Sequence, residues 1–130
     1  MEVQEFMLLL LIAENDSTYI NKVKDFNPHK NGLYEENWFT SLFWELVDSL
    51  KYCAHHYPFE YITDVQTYSD IEHQVEERLL IVKRDSDDVF FGLKYETTNE
   101  GNKLFNNVKF EIVIPKVKTV TEYKFKHLKE

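Results

Sequence analysis

Residues 35–57, EENWFTSLFWELVDSLKYCAHHY, set Phe39, Phe43, Leu46, Leu50 and Cys53 at steps of three and four. Leu42, Val47 and Tyr57 widen the stripe. This spacing gathers the apolar side chains on one helix face, and that face must be buried against another element. Glu35 and Glu36 suit the positive end of the helix dipole, and Pro58 stops the run. Directly afterwards the period falls to two. PFEYITDVQTY alternates and is rich in β-branched and aromatic residues, which predicts a strand.

The remainder of the chain supplies more strands. LLIVKRDSDDVFFGLKYETT predicts a hairpin with RDSDD at its turn. VKFEIVIPKVKTVTEYKF predicts two strand-like runs broken at Pro115, which cannot donate to a ladder. NEGNKLFNN reads as a loop. SDIEHQVEE fits two helical turns through Ile71, Val75 and Leu79, or a strand through Ile71, His73 and Val75. A short helix is expected around Thr18 to Val23, ahead of the turn signals Asn27-Pro28 and Asn31-Gly32. The run FMLLLLIA, residues 6–13, is apolar on every face and is expected to be a buried strand central in the sheet. It is well short of the roughly twenty residues of a membrane helix. Glu2 and Glu5 precede it where a secretory leader carries positive charge. The expected fold is therefore α+β in one globular domain over 1–130. One long amphipathic helix packs on an antiparallel sheet of five to six strands.

Several chemistries are excluded by residue supply. Gly32, Gly92 and Gly101 are the only glycines, and they build neither a Walker loop nor a dinucleotide fingerprint. No G-x-S-x-G elbow is present. A single cysteine forbids an intramolecular disulfide and a four-cysteine zinc site, and it suits a reducing, cytoplasmic setting. Cys53, His55 and His56 are the one cluster with the residue types of a metal or thiol site. On a helix, Cys53 and His55 point to nearly opposite faces, whereas Cys53 and His56 at i and i+3 could share one. Zinc would need further ligands from His29, His73 or acids, at spacings that match no finger pattern. The plainer reading makes Cys53 a small buried hydrophobe and the histidines a helix end beside the negative pole of the dipole. No cofactor is expected.

Charge is the more informative signal. The net charge is −8, but residues 1–100 hold 20 acids against 8 Lys and Arg, while 101–130 hold 3 against 7. The densest acid lies between Glu60 and Asp88. Asp64, Asp70, Glu72, Glu76, Glu77, Asp85, Asp87 and Asp88 are the candidate partner-binding residues. A field of this sign repels nucleic-acid backbones and anionic membranes and attracts basic surfaces. The same acids would also serve as a solvated face that keeps a small protein soluble. The C-terminal run interleaves lysine with rings, as single-strand-binding sheets do, but an ordinary amphipathic strand gives that pattern too. Direct nucleic-acid binding is not expected.

From Arg78 to Phe125 the chain resembles small accessory proteins of phages and mobile elements. The likeness lies in a basic, acidic-turn, aromatic-strand hairpin, then Ile114-Pro115 and Thr119-Val120-Thr121-Glu122-Tyr123. The resemblance implies a small acidic, non-enzymatic protein that docks on and inhibits a basic, nucleic-acid-handling protein of the host cytoplasm. The alternatives from other classes are a structural or regulatory module, with a homodimer through a strand edge, and a small metal or thiol enzyme at Cys53, His55 and His56.

Overall fold

The computed structural model describes residues 1–33, 37–52, 56–98, 100–105, 107–117 and 121–126. Helix α1 (Val3–Glu14) buries Val3, Phe6, Met7, Leu10 and Leu11, at steps of three, one, three and one. The run at 6–13, expected as a central strand, is thus helical. Leu8 and Leu9 blur the stripe, so only the spacing that begins at Val3 betrays the period. Asn15 ends α1 in the left-handed conformation (φ 60°), and the Asp16 side chain then accepts from the Thr18 N–H to start α2 (Ser17–Asp25). Asn27 caps the single turn α3 (Pro28–Asn31) in the same way. The Gln4 amide donates to the carbonyls of Val23 and Phe26, which ties α1 to the end of α2.

Helix α4 (Trp38–Tyr52) realises the described part of the amphipathic stripe and buries Phe39, Leu42, Phe43, Leu46, Val47 and Leu50. Positions 35, 36 and 53–55 of that stripe lie outside the described residues. Among the described residues four helices, rather than one long one, make up the helical layer, and α4 has 15 residues.

The sheet is antiparallel and five-stranded: β1 (Phe59–Asp70), β2 (Val75–Arg84), β3 (Val89–Thr98), β4 (Lys103–Phe105) and β5 (Glu111–Val113). β1, β2 and β3 form a meander. The far edge of β3 is divided between β4, opposite Tyr95–Thr97, and β5, opposite Phe90–Gly92. The hairpin turns where RDSDD placed it. Residues 71–74 are a turn, so SDIEHQVEE is neither helix nor continuous strand. The expected loop 99–107 contains β4, and of the two C-terminal strand-like runs only Glu111–Val113 pairs among the described residues.

The helices cover one face of this sheet. Phe59, Leu80, Val82, Phe91, Leu93 and Tyr95 point into the core from that side. Phe6 sits at the centre, with ring centroids 5.0 Å from Phe59, 4.9 Å from Phe110 and 5.9 Å from Phe43. The segment before α1 pairs with the one before β5: Val3 N–H donates to Val108 O and Phe110 N–H to Met1 O. Phe110 is thereby held under α1.

Candidate interaction surface

β2 carries the candidate acids to its two ends. Asp70, Glu72, Glu76 and Glu77 lie around the β1–β2 turn, and Asp85, Asp87 and Asp88 in or beside the β2–β3 turn. Ten residues of β2 at about 3.3 Å each hold the two groups roughly 30 Å apart. They are two acidic ends and not one continuous face.

Most of these acids have partners. Asp64 lies on the helix-covered side, where it accepts from Arg78 Nε at 3.1 Å and from the Tyr95 hydroxyl. Arg78 also donates to Glu76 at 2.6 Å and to the Asp64 carbonyl at 2.9 Å. Burial, followed by the bond to Asp64, pushes the Tyr95 hydroxyl well above its ordinary range. This cluster closes the polar end of the core beneath Trp44, whose ring is 4.8 Å from Tyr95. It is framework more than docking surface. Arg84 grips Asp87 through both carboxylate oxygens, at 2.9 and 2.6 Å, which holds that carboxyl below the usual range. Lys83 meets Glu60 at 3.1 Å and Asp88 at 3.6 Å. At the other end the His73 ring and backbone N–H bond the Asp70 carboxylate and lower its pKa. Glu77 accepts from the Thr67 hydroxyl at 2.9 Å.

Glu72, Glu77 and Asp85 make no ion pair among the described residues. Two of the three are at the β1–β2 end, beside exposed apolar side chains. Tyr68 is 60% exposed and Ile71, at the tip of the turn, 88%. Sequence reasoning read Ile71 only as a position on a helix or strand face and gave neither residue a binding role. Their signal was an isoleucine and a tyrosine inside an otherwise polar turn region.

Of the cysteine–histidine cluster, Cys53 and His55 lie outside the described residues. His56 is exposed, with its ring 4.3 Å from that of Tyr57. Among the described residues no three His, Cys, Asp or Glu side chains converge on a metal position, and no helix is long and apolar enough to cross a membrane.

Comparison with protein-family models, with curated proteins and with solved structures gives no match. The chemistry of the surface therefore carries the functional reading alone.

Proposed function

We propose that this chain is a small acidic, non-enzymatic binding protein of the phage or mobile-element type, which inhibits a basic, nucleic-acid-handling protein of the host cytoplasm by docking on it. The single observation behind the reading is the β1–β2 tip, where exposed Ile71 and Tyr68 stand among Asp70, Glu72 and Glu77. Apolar side chains ringed by charge of one sign provide both parts of an interface. The apolar groups anchor the complex, and the acids steer a basic surface towards it. Asp64, Glu76, Asp87 and Asp88 act mainly within the fold, because their charge is already answered by Arg78, Arg84 and Lys83.

Affinity capture from the native host, followed by binding kinetics on the purified pair, tests the proposal. The expected partner is basic. Association should slow as salt rises, since screening shortens to about 8 Å near physiological ionic strength. Reversing Glu72 and Glu77 to lysine should cut the association rate severalfold, while Ile71→Asp should mainly speed dissociation. Glu72 and Ile71 are exposed and Glu77 is half-buried with one hydrogen bond to Thr67, so circular dichroism of each variant should show the fold retained. A partner that binds both variants like the parent would remove the tip from the interface.

A further inference from the structure

The sheet ends on an open edge. Among the described residues β1 pairs only with β2, so its twelve residues present an unpaired row of N–H and C=O groups on the other side. Edges of this length are ordinarily blunted by lysine or proline, or covered by another segment. β1 has neither residue, and two register shifts interrupt it without closing it. Ile62, Val65 and Tyr68 are exposed along it, and its only charged residues are Glu60, Asp64 and Asp70.

The same chain carries a strand-like run that has no ladder. Residues 121–126, TEYKFK, alternate Thr121, Tyr123 and Phe125 with Glu122, Lys124 and Lys126, which is the period of an amphipathic strand. In the structure they lie off the sheet, and Tyr123 and Phe125 are each 92% exposed.

The path of the chain points this run at that edge. β5 ends at Val113, which stands opposite Phe90; Phe90 stands opposite Lys83, and Lys83 opposite Glu60. The chain therefore leaves the sheet in the cross-strand row where β1 begins. It then passes over the side away from the helices, where Ile114, Pro115 and Lys116 line a groove of about 360 Å³ together with Ile62 of β1. Lys126 lies ten residues beyond Lys116, and Asp70 eight beyond Ile62. A run laid along β1 in the same direction thus reaches the β1–β2 turn with length to spare. Charge favours that placement. Glu72 and Glu77 at the turn have no ion pair among the described residues, and neither have Lys124 and Lys126.

We infer that residues 121–126 close as a sixth strand on the free edge of β1, parallel to it. Tyr123 and Phe125 then lie beside Val65 and Tyr68, and Lys124 and Lys126 meet the acids of the β1–β2 turn. The structure holds this strap open. Closed, it masks the tip proposed above as a docking surface, so a basic partner has to displace a basic strand of the chain itself. The closure does not depend on that partner and is measured without it.

Amide hydrogen exchange, read residue by residue by NMR on the full chain, tests the closure. Alternate residues of an antiparallel strand turn their N–H groups away from the partner strand. Between Thr63 and Asp70, the amides turned away from β2 should be protected in the parent protein. Tyr123→Asp with Phe125→Asp should speed their exchange by roughly tenfold or more. Lys124→Glu with Lys126→Glu should speed it too, by setting acid against acid at the turn. Amides of the β2–β3 ladder should keep their rates in both variants, which reports an intact fold. Edge amides that exchange in the parent as fast as those of an exposed loop overturn the inference. So does protection that either pair of substitutions leaves unchanged. Protection that grows with protein concentration would place the strand on another molecule and overturn closure within one chain.

Discussion

Phe6→Ala should destabilise the protein by about 3–5 kcal/mol, as judged from the midpoint and slope of urea unfolding. Phe6 is fully buried and packs against Phe43 of α4, Phe59 of β1 and Phe110 before β5. Its removal takes away a large apolar area and leaves a cavity walled by three rings from separate elements, which are poorly placed to collapse into it. The control on the same helix is Ile12, which is 58% exposed. Ile12→Ala should change stability by no more than about 0.5 kcal/mol. The pair discriminates between helix and strand over the first apolar run. In a central strand, residues at both parities would be buried, and Leu8, Leu10 and Ile12 would lie on one face with Phe6. If Ile12→Ala proved as costly as Phe6→Ala, the helical assignment of this run would be wrong.

That run also marks the limit of what patterning conveys. Residues 37–52 were legible as helix because polar Asn37, Ser41, Glu45 and Asp48 interrupt the stripe and define a period. Phe6 to Ala13 has no such interruption, so its period is masked and length alone had to decide. Strands β1, β2 and β3 were legible from alternation, β-branched content and the acidic turn. β4 was not, since Lys103–Phe105 is extended because β3 offers it an edge, a cause outside the segment itself. The converse holds for the run after Val113. It has strand-like composition, but no ladder partner is present among its described residues.

The surface was less legible than the fold. The acids could be counted in the sequence, yet which of them face cations depends on cross-strand register. Arg78 reaches Asp64 only because β1 and β2 pair with register shifts near Thr63 and Gln66. The half-buried Leu79, Ile81 and Phe90 on the side of the sheet away from the helices did leave a trace. Leu79-Leu80-Ile81-Val82 and Val89-Phe90-Phe91 are continuous apolar runs on an antiparallel hairpin, and such runs are apolar on both sides.

The second large effect is expected at Tyr95. Tyr95→Ala should cost about 3–5 kcal/mol, since the ring is buried beneath Trp44 and beside Phe105. Tyr95→Phe keeps the ring and removes only the hydroxyl, so it should cost about 1–2 kcal/mol at neutral pH. The loss stays small because Asp64 retains Arg78 as a partner. Alkaline pH separates the hydroxyl from the ring. Burial and the Asp64 carboxylate raise the Tyr95 pKa in the folded chain above its ordinary value of 10.0. The folded state therefore holds this proton after the unfolded state has begun to release it. The corresponding stability is fully present below pH 10 and is lost as pH rises through the folded value. Phenylalanine has no proton to lose, so the parent protein should fall towards Tyr95→Phe as pH climbs above 10, narrowing the gap between them. Urea unfolding of both proteins at neutral pH and at several alkaline points measures that gap. If it stayed constant, the Tyr95 hydroxyl would have the same proton affinity folded and unfolded, and its bond to Asp64 would carry none of the stability assigned to it here.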